Sequence, residues 1–381
     1  GHCRIRGNWS ATTGERVPLE PEDTTVAEIL KKAGYHTGVI GKWGLGEAGT
    51  TGTPNRKGFD YWFGYLNQHH AHFYYPEYLW RNGEKVQLDG NLNGARTQYS
   101  HDLFTEEALN FIERNEQKPF FLYLAYTIPH AELLIPDDDL NKFKGKWPET
   151  PHRQLHEDSY NSQTHPRAAF AAMVTRMDRD VGKIMDLLKK LNLDDDTIVF
   201  FTSDNGPHDE GGGDPAFFNS SGNLRGMKRE VYDGGVRVPM IARWPGKITP
   251  GAVTHHPSAF WDFLPTAADI AGIDAPENVD GISMLPALLG RQQKPHEFLY
   301  WEFTFKGVTR QAVRMGDWKA VRNRPDAALE LYDLKTDPSE KHNVAKKHPD
   351  IVEKISEYLK TARTDSPDFP ILNESTKNKK K

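Results

Sequence analysis

Three times before residue 207 the chain passes from a helix-period segment into a short apolar stretch, then into a loop with chemically active side chains. That recurrence confines the fold more than any other feature. In the first unit, Thr25 and Glu28 have capping-box spacing. Val26, Ile29 and Leu30 supply an apolar face, and Gly34 is a stop. Residues 35–40 then read as a strand running into Gly41-Lys42-Trp43-Gly44-Leu45-Gly46. In the second unit residues 104–114 have helical spacing. Residues 119–126 form a continuous apolar run, as expected of a strand covered on both faces. It ends in Thr127-Ile128-Pro129-His130. The third unit has a long helix from about Pro166, a strand over 197–202, and then Ser203-Asp204-Asn205-Gly206.

Helix, buried strand and loop in repetition predict an α/β fold with a largely parallel sheet. Ligands bind such sheets beyond the carboxyl ends of the strands. Lys42, His130, Asp204 and Asn205 all lie just past such an end, so chain order alone gathers a cation, an imidazole and an oxygen-donor pair on one rim. Further along, residues 238–243 read as a strand and 260–271 as a helix interrupted by Pro265. From about Thr309 the texture changes to short antiparallel strands over 311–314, 318–322 and 329–334. An amphipathic helix follows over 349–362, with Ile351, Ile355 and Leu359 on its apolar face, and the chain ends in a basic tail at 377–381.

Composition removes several classes. The 381 residues imply one large domain plus a smaller one. Lys and Arg number 48 against 53 Asp and Glu, a net charge of −5, which argues against a nucleic-acid binder held by bulk electrostatics. The single cysteine, Cys3, excludes an intrachain disulfide framework and a Cys-based zinc site. No apolar run reaches the ~18 residues of a membrane-spanning helix. The start, Gly1-His2-Cys3-Arg4-Ile5-Arg6, has neither an initiator Met nor the form of a signal peptide, and reads as a chain cut from something longer.

Each candidate group has a plainer reading beside it. Asp204-Asn205-Gly206 reads as a turn, because Asn-Gly favours positive φ, or as oxygen donors for a hard divalent cation, Ca²⁺ or Mg²⁺. Two side chains do not fill a shell of ~6–8 oxygens, so other ligands have to come from elsewhere. His130 is a hydrogen-bonded loop histidine, or a general acid or anion contact. Lys42 is a surface lysine, or an anion contact between glycines that let the backbone approach a ligand. Lys228 lies in a basic run, 224–230, ahead of the Gly-rich loop 233–237. Gln68, His69, His70 and His72 lack helical metal spacing, and a polar wall around an anionic substrate is preferred to zinc. Trp62, Tyr65, Tyr74, Tyr75 and Trp80 are either faces for sugar rings or a packed insertion. Together a hard cation, two lysines and a histidine imply hydrolysis of a sulfate or phosphate ester, with charge neutralisation as the main catalytic effect.

These residues fall in segments that resemble one family. Gly41-Lys42-Trp43-Gly44-Leu45-Gly46 is similar to the GKWHLG segment of the type I, formylglycine-dependent sulfatases of the alkaline phosphatase superfamily. Residues 200–206, 222–228, 232–239 and 244–246 resemble its other signatures, and Leu331-Tyr332-Asp333-Leu334 with Asp337-Pro338 resembles its small C-terminal domain. The resemblance implies an alkaline-phosphatase-like α/β sandwich over residues 1–305 and a small α+β subdomain over 306–381. It implies Ca²⁺ or Mg²⁺ on Asp204 and Asn205, with Lys42 and Lys228 on the sulfate oxygens and His130 near the leaving-group oxygen. The implied substrate is an aryl or carbohydrate sulfate ester, and the implied location periplasmic or extracellular.

Three departures stand against the pattern. The C-x-P-S-R or S-x-P-x-R segment that carries the family's nucleophile is absent, and Cys3 lacks that context. The N-terminal pair of Asp metal ligands is absent too. The histidine two residues after the lysine is Gly44 here, and His69, His70 or His72 is expected to fill that space. The first two place the formylglycine upstream of Gly1 and imply that the chain as given is not a competent catalyst. Two alternatives stand beside the sulfatase reading: a phosphodiesterase or phosphonate monoester hydrolase of the same superfamily, and a non-catalytic carbohydrate-sulfate binder.

Overall fold

The computed structural model describes residue 10, residues 13–156 and residues 159–373. Cys3 with its neighbours and the basic tail at 377–381 lie outside the described residues. The strands are β1 (His36–Lys42), β2 (Tyr61–Tyr65), β3 (Tyr78–Arg81), β4 (Glu84–Gln87), β5 (Phe120–Ala125), β6 (Val199–Thr202), β7 (Met240–Arg243), β8 (Leu299–Phe305), β9 (Val308–Met315), β10 (Trp318–Arg322) and β11 (Glu330–Asp333). The helices are α1 (Val26–Lys32), α2 (Ser100–Arg114), α3 (Asp137–Leu140), α4 (Pro166–Lys190), α5 (Asp233–Val236), α6 (Phe263–Ile270), α7 (Leu285–Leu288) and α8 (Pro349–Leu359).

Local chemistry explains the first unit. Thr25 Oγ1 accepts from the Glu28 backbone N–H and the Glu28 carboxylate accepts from Thr25 N, so the capping box forms and α1 starts where expected. Alternate residues of β1 face opposite sides. Ile40 packs with Phe104, Ala108 and Phe111 of α2, while Val39 packs with Ala27 of α1 and Trp62. The five-stranded sheet has the order β4-β3-β2-β1-β5, with β1 parallel to both β2 and β5. Gly41 lies opposite Ala125. The residues after β1 and those after β5 therefore leave the sheet on one rim, which delivers Lys42 and His130 together.

The strands β2 to β4 were not expected. Arg81 pairs with Glu84 across Asn82-Gly83, both at positive φ, a two-residue hairpin signal that the sequence carries. The aromatics of this region resolve mainly to packing. Trp62, Tyr65 and Tyr74 are buried in the core, with Tyr75 and Trp80 half-buried against it.

Two other expectations change. The third strand, β6, does not join the five-stranded sheet but pairs antiparallel with β7. Phe263 of α6 spans the two units, its ring 6.2 Å from Phe121 and 5.5 Å from Phe200. β5 has only β1 as a hydrogen-bonded neighbour among the described residues, an edge position, and none of its residues is fully buried, with Tyr123 49% exposed, so the expected burial of both faces is not seen. Pro265 does not interrupt its helix. It sits in the first turn of α6, where no intrahelical N–H bond is lost.

The C-terminal sheet is antiparallel, β11-β10-β9-β8. Its first strand, β8, was not read from the sequence, and the 305/306 boundary falls at the Lys306-Gly307 turn between β8 and β9. Ile355 of α8 covers one face through Val313, Ala320 and Leu331. Val231 and Tyr232 cover the other through Ala312, Val321 and Tyr332.

An ion cluster is buried on that second side. Lys319 of β10 pairs with Asp233 and, at 3.3 Å, with Glu340, whose other oxygen accepts from Asp233 N at 2.7 Å. Burial pushes the Glu340 carboxyl above its usual range despite the lysine. One buried ammonium is thus shared between two buried carboxylates. Lys319→Met leaves them facing each other and is expected to cost ~3–5 kcal/mol in denaturant unfolding. Glu340→Gln keeps an acceptor for Asp233 N–H and removes one charge, so its cost is smaller. The reverse order would contradict this account.

Candidate active site

Lys42 ends β1, His130 follows β5 and Asp204 follows β6. The third of these is set by a close backbone approach. Gly206 N–H donates to Gly235 O at 2.9 Å, and a Cβ on Gly206 would stand 1.8 Å from Gly234 O. Gly206 does not adopt the positive φ that the Asn-Gly reading suggested. It is glycine because the turn must lie directly on the loop at α5. That loop also places the basic run, since Lys228 N donates to Pro207 O at 2.9 Å.

His130 is the centre. Its Nδ1 donates to Ala131 O at 2.6 Å, which assigns the tautomer and leaves Nε2 as acceptor. Lys228 Nζ donates to Nε2 at 2.7 Å and to Glu210 Oε2 at 2.8 Å. Arg229 pairs with the other Glu210 oxygen. The His130 ring lies between His72, stacked at 5.0 Å and 4°, and His208 at 4.6 Å, with Tyr160 at 6.2 Å.

The electrostatics follow from this crowding. Burial alone would push Glu210 up, but Lys228 and Arg229, which donate to its two oxygens, hold it well below the usual carboxylate range. Burial lowers Lys42. Asp204 opposes that shift, while Lys228 and Arg16 add to it, so these groups share one field. Burial, helped by His130, lowers both His72 and His208 to about 3. Both rings are therefore neutral at ordinary pH.

The expected polar wall is only partly assembled. His72 joins His130. His69 is exposed, edge-on to His72 at 5.9 Å and to Phe73 at 5.4 Å. His70 packs against Tyr65 and Tyr78, at 5.0 and 4.6 Å, and burial lowers it to about 4. Among the described residues no histidine fills the space at Gly44. A Cβ there would stand 2.6 Å from Gln68 Cγ, so the Gln68 side chain occupies that volume. The glycines around Lys42 serve internal packing rather than ligand approach, for Gly41 lies against Ala125 O and Gly46 against Gly52.

His208, Glu210, Arg229 and Tyr160 were missed. The first two stand in Pro207-His208-Asp209-Glu210, directly after the oxygen-donor pair, and Arg229 follows Lys228. Proximity to those motifs was the available signal; Tyr160 had none.

For a cation, Asp204 offers an exposed carboxylate. Asn205 uses its amide nitrogen on Gly206 O at 2.8 Å, so its amide oxygen is the atom it can offer. Both are hard donors and fit Ca²⁺ or Mg²⁺ as part of a shell. Among the described residues no group of three or more His, Cys, Asp or Glu side chains is arranged to hold a metal. The cleft is thus a patch of lysine and arginine charge around the His130 ring, suited to a tetrahedral oxyanion.

Comparison with known proteins agrees with that chemistry. The Sulfatase family profile matches residues 4–273, and the profile described as N-sulphoglucosamine sulphohydrolase, C-terminal, matches 226–365. The chain is 32% identical over 322 residues to an N-acetylgalactosamine-6-sulfatase of Canis lupus familiaris, covering 79% of this chain and 55% of that protein. It is 32% identical over 360 residues to an arylsulfatase of Hemicentrotus pulcherrimus, covering 87% and 57%. The chain therefore spans a little over half the length of these relatives. Among solved structures, Ps i-CgsB in complex with k-i-k-neocarrahexaose superposes with a TM-score of 0.77 at 29% identity, covering 96% of this chain and 80% of that one. The family generally implies a metal and a formylglycine. A match across most of the chain, with the cationic cleft where the family's signatures fall, has one meaning: the chain belongs to the sulfatase family.

Proposed function

We propose that the protein to which this chain belongs hydrolyses a sulfate monoester of an aryl or carbohydrate alcohol. The contact that supports this most is Lys228 Nζ on His130 Nε2 at 2.7 Å, within the field of Lys42. It joins a cation and an imidazole from separate parts of the chain at one strand-end rim. Carbohydrate sulfates are favoured, because the similar proteins include an N-acetylgalactosamine-6-sulfatase and a structure in complex with neocarrahexaose.

In this reading Lys42 and Lys228 each take an oxygen of the sulfate, and desolvation strengthens both contacts. His130, with Nδ1–H committed to Ala131 O and Nε2 accepting from Lys228, offers Nε2 as the atom that contacts the ester, and it serves the departing alcohol oxygen only after taking up a proton there. Glu210 positions Lys228 and Arg229 and limits the net positive charge. Asp204 and Asn205 would hold Ca²⁺ or Mg²⁺ together with donors from outside the described residues. When bound, the metal supplies further charge neutralisation and the family's formylglycine the attacking oxygen.

The test uses the longer protein after formylglycine maturation, assayed on 4-nitrophenyl sulfate and 4-nitrophenyl phosphate. Turnover of the sulfate is expected, with Lys42→Ala and Lys228→Ala each lowering kcat/KM by about 10²–10³-fold. Absence of turnover on aryl and carbohydrate sulfates, or a preference for the phosphate ester, would overturn the reading.

A pH dependence of stability follows from the same cleft. His72 faces His130, Lys42, His69 and Glu210, and His208 faces His130, Lys228, Glu210 and Arg229. Each imidazole has a folded-state pKa of about 3 against 6.5 ordinarily. Their contribution is fully present above about pH 6.5 and is lost as pH falls toward about 3. Thermal unfolding between pH 7 and 4 is expected to show a shallower loss of Tm in His208→Gln than in the unmodified chain. Equal slopes would contradict the assignment.

A further inference from the structure

Beside the cleft lies a second cavity, of about 550 Å³, between the basic run and the C-terminal sheet. Its wall carries Arg225, Lys306, Arg310 and Arg324, with Glu230 the one carboxylate among the described lining residues and Glu330 behind it, accepting from Tyr232 Oη at 2.6 Å and from Asn323. The Glu230 carboxylate is already engaged by Met227 N–H at 3.0 Å. Two of the cations are built in. Arg225 lies over the Tyr232 ring at 3.9 Å and donates to Tyr332 Oη and Glu340 O, and Arg310 donates to Arg229 O at 3.1 Å. Lys306 and Arg324 stand exposed at the mouth. Arg324 is 3.3 Å from Asp326, a mutually exposed pair of the kind that holds weakly.

Cavity and cleft share a wall. Arg229 pairs with Glu210 on the cleft side, and its guanidinium lies 5.0 Å from the centroid of Phe305, which lines the cavity. Its backbone is left-handed, φ 76°, a strained state for a non-glycine residue that Arg310 and Glu210 hold in place. Lys228 and Glu230 are two residues apart, at most about 7 Å of backbone. Only Arg229 stands between the two spaces, so a molecule with one anionic group at His130 and Lys228 that extends past that residue would meet a second group of cations in an open depression.

Resting on the sulfate-ester reading above, we propose that this cavity is an anion subsite for a neighbouring sulfated or carboxylated sugar. The substrate is then an extended acidic glycan rather than an isolated monosulfate. A compact aryl sulfate fills the cleft and leaves the cavity untouched, whereas a polyanionic oligosaccharide engages both.

The test has a binding arm that needs no turnover. Calorimetric titration of the chain with sulfated maltohexaose is compared with unsulfated maltohexaose and with inorganic sulfate, before and after K306E/R324E. The expected result is tight binding of the sulfated hexasaccharide only, weakened about tenfold or more by the double variant, with Tm unchanged. Equal affinity in the double variant overturns the subsite. Inorganic sulfate binding as tightly as the hexasaccharide marks a free-anion site and overturns the glycan assignment. In the matured longer protein, the ratio of kcat/KM on sulfated maltohexaose to that on 4-nitrophenyl sulfate is expected to fall about tenfold in the double variant, with aryl sulfate turnover unchanged. Aryl sulfate turnover with an unchanged ratio refutes the subsite alone. Absence of aryl turnover refutes the catalytic reading, while the titration still decides the cavity.

Discussion

Lys319 lies fully buried between Asp233 and Glu340, and much of the cleft rests on that cluster. A lone ammonium buried in a protein interior would lose its proton or destabilise the fold, so the two carboxylates have to be brought to it. Asp233 begins the short helix whose glycines receive Gly206, and Glu340 accepts from the backbone of Asp233. The C-terminal sheet is thereby joined to the turn that presents Asp204 and, through Tyr232 and Arg225, to the basic run with Lys228. A small antiparallel sheet far along the chain is a structural support of a site formed mainly by other segments.

Within the cleft the problem is crowding of like charge. Lys42, Lys228, Arg229 and Arg16 converge, and such a group repels itself unless anions are interleaved or a ligand arrives. Glu210 meets part of the need by accepting from two of the cations at once. His72 and His208 meet another part by remaining neutral, which adds ring surface around His130 without adding charge. The result is a site where four cations are offset in part by Glu210, Asp204 and the Glu47 partner of Arg16, leaving a small positive excess of the kind that suits a compact oxyanion.

Much of this was legible in the chain. The capping box at Thr25 and Glu28, the apolar run at 119–126 and the long helix from Pro166 are local signals, set by hydrogen bonding and burial within a few residues. Parallel pairing of β1 with β2 and β5 then puts Lys42 and His130 on one rim, as strand direction requires. The misreadings have a common origin in partners distant in sequence. The pairing of β6 with β7 instead of the larger sheet and the space at Gly44 taken by Gln68 depend on what arrives from elsewhere, as does the choice of packing for Trp62, Tyr65 and Tyr74, which the sequence left open. His208 and Glu210 were overlooked because neither forms part of a periodic pattern.

By itself, then, the sequence determined the α/β character, the placing of three functional loops at strand ends, and the residue types that favour an oxyanion, because each rests on short-range periodicity and chain direction. Tertiary structure alone decided which histidine meets His130, which acid restrains Lys228 and Arg229, and that a second basic cavity shares the Arg229 wall. Those outcomes depend on side-chain distances of a few ångströms between residues 18 or more positions apart in the chain, and such distances exist only once the sheets are packed.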